Sequence, residues 1–139
     1  MILLDTNVIA EFMIHAPDPR VVRWMNSQTR SSVWATSINV YEIRSGLFAM
    51  PVGKRRAALS LAFERLLNNT IQGRIAVFDM AAAQRAAELD AQGGSGGRPR
   101  DSRDTMIAGI VLASRAMLAT RNVKHFEDIA ASVVNPWED

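Results

Sequence analysis

The chain has no cysteine and only two histidines, His15 and His125. A disulfide scaffold and a thiolate-held zinc are therefore excluded, and a histidine-rich zinc site is improbable on the same count. Any metal would be held mainly by oxygen, which points to hard cations such as Mg²⁺ or Mn²⁺. Aromatic residues make up only 6% of the chain. No stretch of membrane-spanning length escapes charge. The apolar start, residues 2–4, is interrupted by Asp5 and Glu11, so no signal-peptide core is present and a cytoplasmic location is the expectation.

What is present fits one domain over residues 1–139. Hydrophobic residues make up 48% of the chain and charged residues 22%, both ordinary for a globular protein with a real core. Net charge is only +2, but the basic side is 14 Arg and 2 Lys. The planar fork of Arg grips two phosphate oxygens at once, so the bias suggests phosphate recognition, although a GC-rich genome would also produce it.

Short apolar runs alternate with helical patterns. Strands are expected at 2–4, 33–36, 75–78, 117–120 and 132–135. Helices are expected at 7–14, 19–28, 37–50, 54–69, 80–92 and 101–117, with a short one at 123–130. Pro19 suits the first turn of its helix. GGSGGRPR, residues 93–100, reads as a flexible loop. This alternation implies an α/β fold with a mostly parallel sheet and helices on both faces. Right-handed crossovers then bring the C-terminal ends of all strands to one rim, where open α/β sheets place their ligands.

Three of the fourteen acids are candidates for that rim. Asp5 follows ILL with no basic neighbour in sequence. It is either a partly exposed turn acid, with Thr6 or Asn7 capping the next helix, or a functional carboxylate. Glu42 lies one turn into the helix after strand two, and taken alone reads as an ordinary exposed Glu. Asp104 heads an apolar stripe of Ile107, Ala108 and Val111 on one helix face. Asp101, three residues earlier, suits the N-cap of that helix. Asp79 suits the N-cap of the alanine-rich helix. If Asp5, Glu42 and Asp104 converge, their repulsion calls for a divalent cation. Two cations about 3.5–4 Å apart can clamp both oxygens of a phosphodiester displacement.

In series, DTNVI, TSINVYE, RDTMIAG, LATRN and VVNPW resemble the PIN-domain ribonucleases, most of all the VapC and FitB toxins of toxin–antitoxin pairs. The resemblance implies a three-layer α/β/α sandwich on a five-stranded, mostly parallel sheet. It implies metal ligation by Asp5, Glu42 and Asp104, and Mg²⁺- or Mn²⁺-dependent hydrolysis of RNA by activated water. Thr6 would orient Asp5 or a bound water, and Asn7 would brace the turn. Asn122 stands where many relatives carry a fourth acid, so a second metal would be held with less charge. Arg98, Arg100, Arg103, Arg121 and Lys124 flank the site in sequence, either to grip RNA phosphates or as a solubilising surface. The implied partners are a DNA-binding antitoxin, DNA only through that antitoxin, and a second copy of the chain, with no membrane. Helices 37–50 and 54–69 are apolar enough to serve a dimer.

Two other readings remain open. A receiver-like, Mg²⁺-dependent phosphoryl-transfer domain would use Asp79 as its nucleophile. A catalytically weak module acting as a corepressor would be consistent with Asn122.

Overall fold

In the computed structural model, which describes residues 1–93 and 100–138, five strands form one parallel sheet. β1 (Ile2–Leu4), β2 (Val33–Thr36), β3 (Ile75–Ala76), β4 (Met117–Ala119) and β5 (Val133–Val134) lie in the order β3-β2-β1-β4-β5. Ile2 pairs with Val33 on one side and Met117 on the other, which makes β1 the central strand. Chain order reverses across β1, between β2 and β4, and this switch point is where an open parallel sheet splays its connections apart.

The helices are α1 (Thr6–Glu11), α2 (Pro19–Asn26), α3 (Ser37–Ala49), α4 (Lys54–Arg65), α5 (Met80–Gln92) and α6 (Ser102–Ser114). Alternation within β1 divides the core in two. Ile2 and Leu4 face α1 to α4, packing with Val8, Val21, Trp24, Leu47 and Phe63. Leu3 faces the other way, with Leu118, onto Ile107, Ile110 and Val111 of α6 and Leu89 of α5. The result is a three-layer sandwich. No helix among the described residues is long and apolar enough to cross a membrane.

α5 packs along α6 at a close approach that only glycine allows. A β-carbon on Gly109 would stand 2.5 Å from the Ala82 carbonyl oxygen and 3.0 Å from the Ala86 β-carbon. The apolar stripe on α6 is buried as its spacing requires: Ile107, Ala108 and Val111 are fully covered.

Several elements are shorter than their sequence patterns. α1 stops at Glu11, with Phe12 as its C-cap. Residues 66–71 continue α4 as a π-helical turn, and this places Leu66 and Ile71, five apart, together in the core. β3 keeps only two of its four expected residues, and the short helix expected at 123–130 is a single 3₁₀ turn over Val123–Phe126. The 94–99 part of the glycine-rich loop, with Arg98, lies outside the described residues.

Candidate active site

β1 ends at Leu4, and the Asp5 amide extends its ladder by donating to the Ala119 carbonyl at 2.8 Å. Asp5 itself is the N-cap of α1: its carboxylate accepts from the Thr6 amide at 2.8 Å. This corrects the expectation that Thr6 or Asn7 holds the cap. The second carboxylate oxygen accepts from the Thr120 hydroxyl at 2.7 Å and from the Asn7 side-chain amide at 3.3 Å. Asp5 is therefore not a partly exposed turn acid. It is 5% exposed, gripped on both oxygens, and burial raises its pKa despite those hydrogen bonds.

Glu42 is placed by a relay that starts at the end of β2. Thr36 caps α3 in a reciprocal box. Its hydroxyl accepts from the Asn39 amide at 3.1 Å, while the Asn39 Oδ1 accepts from the Thr36 amide at 2.7 Å. Asn39 is fully buried, and its Nδ2 donates to the Thr6 hydroxyl at 2.9 Å. With that lone pair occupied, the single Thr6 proton points to Glu42 Oε1, 2.9 Å away. Thr6 thus orients Asp5 through its backbone and Glu42 through its side chain. Burial raises the Glu42 pKa first, and the charges of Asp5 and Asp104 push the same way. Arg103 Nη1 stands 3.7 Å from the other Glu42 oxygen, and its guanidinium lies 5.5 Å from the centre of the Tyr41 ring.

Asp104 sits in the first turn of α6, whose cap is Asp101, accepting from the Arg103 amide at 2.9 Å. That leaves the Asp104 carboxylate free of capping duty. It faces His125 Nδ1 at 3.1 Å. Burial raises its pKa, the charge of Asp5 raises it further, and His125 opposes both.

Three acids from three elements therefore come near one another at the switch point, each shifted toward the protonated form by burial, Glu42 also by the charges of Asp5 and Asp104, and Asp104 also by that of Asp5. Their chemistry fits a hard divalent cation: all are oxygen donors, and their mutual repulsion is what such a cation relieves. As the side chains stand, no three His, Asp or Glu groups among the described residues are gathered tightly enough to hold an ion. Glu42 is turned to Thr6 and Arg103, and Asp104 to His125.

The other candidates divide. Asn122 is exposed at the head of the 3₁₀ turn; its backbone amide donates to the Thr120 hydroxyl at 3.0 Å, and its side chain makes no cap. Arg103 reaches the acids. Arg121 is exposed, stacks 4.9 Å over Trp137, and donates its backbone amide to the Asn7 side chain. Lys124 is exposed. Arg100 corrects its expectation as a phosphate contact: its side chain is 6% exposed and is committed to Asp128 and to the His125 carbonyl. Asp79 is likewise committed as the cap of α5, accepting from the Ala82 amide, which leaves the receiver-like reading without its nucleophile.

Thr120, Asn39 and His125 were not foreseen as parts of the site. For Thr120 a signal existed. β1, β2 and β4 each run from apolar residues into Asp5, Thr36 or Thr120, and all three polar residues are buried.

Comparison with known proteins agrees with this geometry. A family model described as PIN domain matches residues 2–132. The plasmid stability protein StbB of Pseudomonas syringae and a VapC ribonuclease of Sinorhizobium fredii are each 38% identical to the chain, over 99% of both lengths. Toxin FitB of Neisseria gonorrhoeae is 33% identical over all of both chains. The solved structure of FitAB bound to a DNA fragment superimposes with a TM-score of 0.87, at 33% identity, covering 99% of this chain and 96% of that one. The order of its strands, the acids at their rim and these likenesses agree: the chain belongs to the PIN-domain family, alongside the VapC and FitB proteins.

Proposed function

We propose that this chain is a divalent-metal-dependent endoribonuclease and the toxin of a toxin–antitoxin pair. The observation that carries the nuclease reading is the convergence of Asp5, Glu42 and Asp104 from three elements, each with its pKa raised by burial. Asp5, Glu42 and Asp104 would hold Mg²⁺ or Mn²⁺. When bound, such an ion would supply Lewis acidity and would make a water beside it easier to deprotonate.

The chain's own residues do the positioning. Thr120, Asn7 and the Thr6 amide fix the Asp5 carboxylate, and Asn39 and Thr6 fix Glu42. Arg103 stands beside the acids and, with exposed Arg121 and Lys124, offers cationic contacts to the phosphates of an RNA strand. In the reaction the oxygen of water bonds to phosphorus, the bond to the 3′ oxygen breaks, and the ends are 5′-phosphate and 3′-hydroxyl.

The toxin role rests on likeness to the VapC ribonuclease and to toxin FitB. The partner would be an antitoxin that carries the DNA contact, as the DNA-bound FitAB complex suggests. Tyr41, Phe48, Val52 and Leu61, exposed apolar side chains on and between α3 and α4, supply a surface for a partner chain.

The test is incubation of a pool of cellular RNAs with the protein in Mg²⁺ or Mn²⁺, with wild type and Asp5→Asn in parallel. Metal-dependent cutting by wild type alone is expected. Equal cutting by both proteins, or none by either in any divalent metal, overturns the nuclease reading.

A further inference from the structure

A cavity of about 830 Å³ opens at the opposite end of the sheet from the acids, where β4 and β5 begin. Its lining includes Gln84 and Arg85 of α5, Arg115 and Ala116 after α6, Met117 of β4 and Ser132 before β5. Along α6 it lies roughly 16 Å from Asp104, at 1.5 Å per residue, so the two sites are separate.

Arg115, like Gln72, has a left-handed backbone. It ends α6 in the left-handed region at φ 54°, its amide donating to Leu112 and Val111 and the Ala116 amide to Val111 at 3.0 Å. Glycine is the residue that ordinarily fills this helix-ending position, because a β-carbon is disfavoured there. Arg115 holds that position at some cost in backbone strain. Its side chain lines the cavity beside Arg85. Among the described residues neither guanidinium has an ion-pair partner or a hydrogen-bond acceptor.

Two unpartnered guanidiniums match the charge and the oxygens of a phosphate better than those of a single carboxylate. The volume is far more than a phosphate needs and falls within the roughly 300–1,000 Å³ of small-ligand sites. The remaining wall is alanine with Val111, Leu112 and Met117, apolar contacts suited to a base, while Gln84 and Ser132 offer hydrogen bonds. We infer that this cavity binds a nucleotide, Arg85 and Arg115 holding the phosphate and the apolar wall holding the base. The nucleotide can be free or one unit of an RNA strand.

The experiment is a titration of the metal-free full chain with adenosine 5′-monophosphate, inorganic phosphate and a short oligoribonucleotide, followed by backbone amide chemical shifts. Expected are saturable shifts at Ala116, Met117 and Ser132 with the monophosphate or the oligonucleotide, at concentrations where phosphate alone leaves them unmoved. Saturation by the monophosphate assigns a free nucleotide; saturation by the oligonucleotide alone assigns a unit of a strand. Arg115→Gly should bind at least about tenfold more weakly while melting at the same temperature or higher, because glycine relieves the backbone. Arg85→Ala should weaken binding similarly. Unmoved amides at the cavity, shifts confined to Asp5 and Thr120, equal binding of inorganic phosphate, or undiminished binding by Arg115→Gly would each overturn the inference.

Discussion

Asn39→Ala removes the hub of the relay that places Glu42. The fully buried Asn39 side chain makes three hydrogen bonds: it accepts from the Thr36 amide and hydroxyl, and it donates to Thr6. Each is worth about 1 kcal/mol net, and leaving the buried Thr36 amide unpaired adds roughly 1–3 kcal/mol. Alanine returns at most about 0.7 kcal/mol of helix propensity. A loss of about 3–5 kcal/mol follows, or roughly 10–20 °C in Tm for a chain of this size. Activity should fall as well, because Thr6 is then free to turn its proton away from Glu42. Loss of such an outer partner costs about 10- to 100-fold in metal affinity or rate. Urea unfolding and initial cleavage rates at saturating Mn²⁺ measure the two effects. Thr6→Val is the comparison, since it removes the Thr6 hydroxyl's bonds to Glu42 and Asn39 but leaves the Thr36–Asn39 box intact. A stability loss under about 1 kcal/mol, or cleavage unchanged in both variants, would refute the relay.

The raised pKa of Asp104 means that the folded state holds its proton more tightly than the unfolded chain. Its ionisation therefore lowers stability as pH rises through and above the ordinary carboxylate range. Asp104→Asn should be more stable than metal-free wild type at neutral pH, and the difference should shrink as pH falls toward about 4; a pH series of urea midpoints shows either this or a constant offset, which would contradict it. Gly109→Ala drives a β-carbon into the Ala82 carbonyl and should cost about 2 kcal/mol despite better helix propensity, measured by thermal unfolding. Asn122→Asp should lower the Mn²⁺ needed for half-maximal cleavage; superimposable metal curves would place residue 122 outside the metal's surroundings.

Much of the fold is legible because its cues are local and repeated. ILL, VWAT and MLAT announce buried strands, and Pro19, Asp79 and Asp101 mark helix starts that the structure keeps. The lengths were less legible. Val77 and Phe78 look like strand, but only Ile75 and Ala76 pair with β2, and pairing depends on a neighbour's length rather than on local pattern. Asp5 and Asp104 could be picked out because each broke an apolar context, whereas Glu42 stood out only beside the other two and through the family resemblance. Their supports could not, since Asn39, Thr120 and His125 act across separations of 33, 115 and 21 residues. Arg100 shows the opposite failure. Its neighbourhood in sequence suggested a phosphate contact, and only the tertiary structure reveals Asp128 as its partner.

The proposed function stands on Asp5, Glu42 and Asp104 together holding a divalent cation. The most direct test is calorimetric titration of Mn²⁺ into the metal-free protein at neutral pH, with Asp104→Asn alongside. Wild type should bind at least one ion per chain, and Asp104→Asn should bind at least about tenfold more weakly. Binding of equal strength in the two proteins, or none in wild type, would contradict it.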